Sequence, residues 1–112
     1  MSEGPLHGIS VLDLTRVVAG PYGTGLLADL GARVVKVERP VRGDEVRMLP
    51  DQVRGLSLTF NDVNRNKEGI TLDLRTERGS ELLLSLLPHF DVLSENFAAG
   101  TMERWGDRKS VV

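Results

Sequence analysis

Three glycines stand close together in the stretch VVAGPYGTG, at positions 20, 23 and 25, between an apolar run and a helix-like run. A glycine-rich turn there aims backbone N–H groups at whatever lies beyond the helix start, which is one way proteins hold phosphate. The order is G-x-x-G-x-G, the reverse of the dinucleotide fingerprint, and Pro21 removes an amide such a loop would offer. Close packing of a helix on a strand asks for the same glycines, so both readings stand. Glu38 closes the next apolar run at the distance where a ribose-binding carboxylate belongs. Arg39 follows it, and a guanidinium grips phosphate with two parallel hydrogen bonds. NADP and coenzyme A are the two cofactors with an extra phosphate on an adenosine ribose. A solvated surface charge is the plain alternative for Arg39.

Other chemistries find little support. The 112 residues include no cysteine, which removes disulfides, thiolate metal sites and a catalytic thiol. His7 and His89 are the only histidines, too far apart for a ligand-like spacing, so neither a zinc site nor a Ser/His/Asp triad is expected. A net charge of −2 gives no general electrostatic reason to bind nucleic acid or an acidic membrane surface. No apolar run approaches the roughly 20 residues that span a bilayer, and the opening MSEGPLHG is too polar for a signal peptide. The expectation is a cytoplasmic protein with no metal, no membrane and no nucleic acid partner.

The elements that must position these residues follow from periodicity. Residues 9–14 (ISVLDL) read as a strand buried on both faces. Pro21 suits a first helical turn, Leu26, Leu27 and Leu30 give the apolar stripe of a helix, and Gly31 ends it. Residues 34–38 are a second strand, so the opening is a βαβ unit with an expected right-handed crossover. Residues 39–69 are charged, dotted with glycine and proline, and without sustained periodicity; an excursion of that length has work beyond connecting. Asp44 and Arg47 are expected to pair within it, Arg65 and Lys67 to be loop charges, and Asp13 and Asp29 to bond local backbone. Residues 70–74 (ITLDL) read as a third strand. Thr76 caps a helix carrying leucines 82, 83, 86 and 87, Pro88 closes it, residues 91–95 form a fourth strand, and Thr101 caps a last helix. The fold class is α/β: a Rossmann-like parallel sheet flanked by helices, incomplete, the N-terminal part of a larger domain. An unpaired sheet edge would make the chain alone poorly soluble or partly unfolded.

LDLTRVVAGP, LLADLGARVVKVERP, GDEVR, NRNKEGITLDLR, DVLSENF and MERWG occur in this order. Together they resemble the N-terminal part of the class III coenzyme A transferases (the CaiB/BaiF family), which include formyl-CoA and carnitine-CoA transferases and have α-methylacyl-CoA racemases as relatives. The resemblance covers residues 5–106 and implies that residues 1–106 are the coenzyme A-binding part of a large domain. Val17, Val18 and Ala19 would then line the coenzyme A cleft and Arg39 would approach the phosphorylated adenosine. Leu72 and Arg75 would border the nucleotide, Asn96 and Phe97 would lie at a ligand-binding sheet edge, and Arg104 would be a further phosphate contact. Read without the family, Asn96 caps a turn, Phe97 is core, and Glu103 and Arg104 are an exposed helix face.

The resemblance further implies that coenzyme A moves between carboxylic acids, an acyl-CoA and a free acid, through an acyl-aspartyl intermediate. The nucleophilic aspartate of the family lies beyond the matched segment, so no catalytic residue is assigned here and the chain alone is expected to be inactive. Full-length relatives form interlocked homodimers. A racemase of the same fold, working by acid–base chemistry at the α-carbon, a non-catalytic coenzyme A-binding fragment and an NADP-dependent dehydrogenase remain as alternatives. Residues 107–112 (DRKSVV) are what a common sequencing adapter encodes in frame, and are expected to be a non-native tail.

Overall fold

The computed structural model describes residues 4–104; the tail expected at 107–112 lies outside the described residues. Strand β1 (Ser10–Asp13) leads into helix α1 (Ala19–Asp29) and strand β2 (Arg33–Glu38). One 3-10 turn (Glu45–Met48), a hairpin of β3 (Gln52–Val53) and β4 (Leu56–Ser57), and helix α2 (Leu58–Val63) occupy the excursion. Strand β5 (Glu68–Thr71), helix α3 (Glu77–Leu86), a second 3-10 turn (Leu87–His89), strand β6 (Val92–Ser94) and helix α4 (Thr101–Arg104) complete the described chain.

Strands β5, β2, β1 and β6 lie side by side in that order, all parallel, as the sequence predicts for an α/β sheet flanked by helices. Alternation sorts their side chains. Val11 and Val34 meet Ala28 and Ala32 beneath α1, whereas Leu12, Leu14, Val35 and Val37 point to the opposite face and pack with Leu83 of α3 and Met102 of α4. Both faces are covered, which explains the near-continuous apolar runs. The chain moves outward from β1 to β2 to β5 and then crosses back to put β6 on the other side of β1. In an open parallel sheet, that reversal opens a crevice at the carboxyl ends of the strands.

Local signals account for much of this. Thr76 caps α3 by accepting the Gly79 N–H at 2.9 Å, and Gly31, with φ at 107°, ends α1. The differences have physical causes. The buried face of α1 is Pro21, Thr24, Gly25 and Ala28, while Leu26 and Leu30 stay exposed. A Cβ on Gly25 would stand 2.7 Å from the Val63 carbonyl oxygen, so α1 seats its small residues against α2 and turns those leucines outward. The third strand begins at Glu68, earlier than expected; only Leu72 continues the ladder by donating to the Glu38 carbonyl, and residues 72–74 turn into α3. Thr101 is the first residue of α4, and its Oγ1 accepts from the Arg104 guanidinium at 3.2 Å.

The excursion is ordered by anchors. Val46 and Val63 are buried, and Ser57 caps α2 by accepting the Phe60 N–H at 3.1 Å. Arg47 binds Glu38 through two hydrogen bonds of 2.7 Å and lies 3.7 Å over the Phe60 ring, tying the first 3-10 turn and α2 to the end of β2. Asp44 and Arg47 therefore do not pair with each other as expected. Each reaches back to the sheet.

Candidate functional site

The carboxyl ends of all four parallel strands converge on one cleft. Leu14 and Arg16 follow β1, Lys36–Arg39 end β2, Leu72–Arg75 follow β5, and Phe97 follows β6; Gly43 and Asp44 close the side. The cleft they line is open to solvent on one side. Arg16 lies 4.9 Å over the Phe97 ring, which fixes a guanidinium plane against an aromatic wall. Arg39 is part-exposed, donates to the Gly43 carbonyl at 2.8 Å, and stands 3.5 Å from Glu45. Arg75 is largely exposed, with a 3.5 Å contact to Asp73. Glu38 sits at the rim. Burial works against its ionisation, but the Arg47 guanidinium and the Asp44 N–H more than offset this, and its carboxyl lies below the ordinary glutamate value.

Beneath the turn that follows β1 lies a buried network of four charges. Asp13 and Lys36 are register partners on β1 and β2, both on the α1 face and both excluded from solvent. Asp13 receives the Thr15 N–H at 3.0 Å, the Thr24 hydroxyl at 2.8 Å and the Lys67 ammonium at 2.9 Å, with the Thr15 hydroxyl as a further close donor. Lys67 also donates to the Pro21 carbonyl and to Asn64 Oδ1. Burial lowers its pKa, against the opposing pull of Asp13. Lys36 donates to Asp44 at 2.8 Å and to the Thr15 carbonyl at 2.9 Å. Two positive and two negative groups, each hydrogen-bonded, is the arrangement that makes burial of charge tolerable.

The turn itself is strained. Val17 has φ at 72°, a left-handed conformation that disfavours a β-branched residue by something of order 1–3 kcal/mol. Asp44 Oδ1 accepts the Val17 N–H at 2.9 Å. Asn96 brackets the preceding residue, accepting the Arg16 N–H at 3.1 Å and donating to the Arg16 carbonyl at 3.0 Å. A Cβ on Gly20 would lie 2.6 Å from Thr15 Cβ and 3.1 Å from Asn96 Nδ2, and Gly25 is held against α2. Two of the three glycines therefore serve close packing. Gly23 meets nothing within 4 Å.

Of the residues singled out from sequence, Arg39, Leu72, Arg75 and Phe97 line the cleft together. Val17, Val18 and Ala19 lie exposed on the turn beside it, where α1 begins without a side-chain cap. Asn96 is adjacent, its amide engaged with Arg16. Arg104 lies on α4, outside the cleft lining, and bonds Thr101. Arg16 and Lys36 were not singled out from sequence, and Asp44 and Lys67 were expected only as loop charges, Asp44 as the partner of Arg47. A lysine inside the buried run VVKVE and an aspartate inside ISVLDL were the available signals, because neither can be buried without a partner. Asp13 does bond local backbone, and also Lys67. Asp29 instead takes Arg65 at 2.6 Å and Asn66 at 2.9 Å, and the Arg65 hydrogen bond lowers its pKa. Among the described residues no helix is long and apolar enough to cross a membrane, and no group of His, Cys, Asp or Glu is placed to hold a metal ion.

Comparison with known proteins gives a consistent set of relatives. The family model described as CoA-transferase family III matches residues 6–110. An acetyl-CoA:oxalate CoA-transferase of Acetobacter aceti is 46% identical over 104 residues, covering 93% of this chain and 27% of the relative. A succinyl-CoA:mesaconate CoA-transferase of Haloarcula hispanica is 50% identical over 107 residues, covering 91% and 27%. The crystal structure of a CaiB/BaiF family protein from Brucella suis superposes with a TM-score of 0.85 at 41% identity, covering 94% of this chain and 29% of that one. The chain thus spans about a quarter of the length of the curated relatives it matches.

Proposed function

The chain belongs to CoA-transferase family III, and from that premise we propose that its cleft binds the nucleotide end of coenzyme A in a transferase acting on acyl-CoA and carboxylic acids. The observation that carries this reading is the convergence of Arg16, Arg39, Arg75 and Phe97 at the carboxyl ends of four parallel strands. Guanidinium groups suit phosphate and an aromatic face suits adenine. In this reading Arg39 and Arg75 meet phosphoryl groups, Leu72 and Phe97 flank the base, and the exposed turn at Val17, Val18 and Ala19 meets the pantetheine arm. Arg104, one helix away, serves a phosphate only if the ligand extends past Phe97. Coenzyme A would pass between acids through an acyl-aspartyl intermediate. Asp13 and Asp44 are not its nucleophile, since both are buried with both carboxylate oxygens engaged.

Calorimetric titration with coenzyme A, 3′-dephospho-coenzyme A and NADPH tests the reading. Coenzyme A should bind more tightly than its dephospho form, and NADPH should not compete. Arg39→Ala and Arg75→Ala should each weaken coenzyme A binding by about tenfold, the loss of one charge-assisted contact. NADPH binding as tight as coenzyme A, or no coenzyme A binding by a chain that melts cooperatively, refutes it.

A further inference from the structure

The structure carries one assignment beyond the cleft lining, and it rests on the coenzyme A reading above. We propose that Asp44 is a positioning residue that sets the ligand-binding turn before any ligand arrives. Backbone groups of three successive residues of that turn are each held by a side chain from elsewhere. Lys36 of β2 holds the Thr15 carbonyl, Asn96 beyond β6 holds both peptide groups of Arg16, and Asp44 holds the Val17 N–H. Asp44 links the first and the third of these holds, because its second oxygen neutralises Lys36 at 2.8 Å and its first also receives the Val46 N–H at 3.0 Å. It is 1% exposed, so these bonds, rather than solvent, satisfy the carboxylate.

The turn would not take this shape on its own. A valine at φ 72° relaxes to negative φ unless it is held, and that relaxation would swing the Arg16 side chain off Phe97 and re-aim the first turn of α1. Holding the strained conformer in advance removes an ordering cost from binding. The Lys36–Asp44 pair therefore does more than neutralise charge. Its acceptor oxygen on Val17 is the functional element.

Paired variants separate the two roles. K36M/D44N removes both charges and keeps an oxygen for the Val17 N–H, whereas K36M/D44L removes both charges and that oxygen. K36M/D44L should bind coenzyme A at least tenfold more weakly than K36M/D44N, and its Val17 amide should lose hydrogen-exchange protection while both proteins still melt cooperatively. Equal affinity in the two variants overturns the proposal. So does a Val17 amide in the unsubstituted chain that exchanges as fast as an unprotected one. Should K36M/D44L not fold, K36M/D44A replaces it: alanine also lacks the acceptor oxygen but adds no bulk, so its affinity should again fall at least tenfold below that of K36M/D44N. Equal affinity in K36M/D44A and K36M/D44N is equally fatal. If the unsubstituted chain binds no coenzyme A, the ligand reading fails, while Val17 exchange still reports on the clamp.

Discussion

Replacing Lys67 with methionine tests whether the buried network holds the fold together. Methionine keeps most of the aliphatic stem, so the change isolates the ammonium. The Lys67 side chain is 2% exposed and its Asp13 partner is fully buried. Removing it leaves the Asp13 carboxylate uncompensated and strips a donor from the Pro21 carbonyl and from Asn64 Oδ1. Breaking a buried ion pair from one side costs about 3–5 kcal/mol. With an unfolding slope of about 1.5 kcal/mol per M for a chain of this size, the urea midpoint should fall by about 2–3 M. Adding Asp13→Asn removes the stranded charge while an amide can still accept from Thr15 and meet the Thr24 hydroxyl. The double variant should therefore recover about 2 kcal/mol relative to the sum of the single effects. Equilibrium urea unfolding, followed by circular dichroism, supplies all four corners of the cycle. A loss below about 1 kcal/mol for Lys67→Met, or strict additivity in the double variant, would mean that the network contributes little and that packing alone seats the turn.

Two further outcomes check the electrostatics and the packing. The Glu38 carboxyl titrates below its ordinary value, so in acid the unfolded chain binds its proton first; this contribution to stability is complete above about pH 4.3 and is lost as pH falls through the lowered folded value. Glu38→Gln should flatten that part of an acid-unfolding profile, and a profile unchanged by the substitution counts against the Arg47 contact. Gly25→Ala should destabilise by about 1–2 kcal/mol despite the better helix former, because its Cβ meets the Val63 carbonyl at 2.7 Å. Gly23→Ala, which meets nothing, should stabilise by up to about 1 kcal/mol, and thermal melts showing the same sign for both glycines would contradict the packing of α1 on α2.

The sequence by itself determined the alternation of strands and helices, because those signals are local. Thr76 caps α3, Gly31 ends α1, and apolar runs free of alternation require a sheet covered on both faces. It also supplied Arg39, Leu72, Arg75 and Phe97 as residues that belong together, through a motif order that resembles a known family. Tertiary structure decided what the charges do. Asp44 sits near Arg47 in sequence but pairs with Lys36, and Lys67 reaches Asp13 across an interval that no periodicity spans. A buried charge must find a partner, but one-dimensional spacing cannot say which, since the choice depends on strand register and on how the excursion folds back. The glycines show the same division. Position alone left all three open between a phosphate loop and close packing, and the approach of Thr15, Asn96 and Val63 decided that Gly20 and Gly25 are where other atoms need the space.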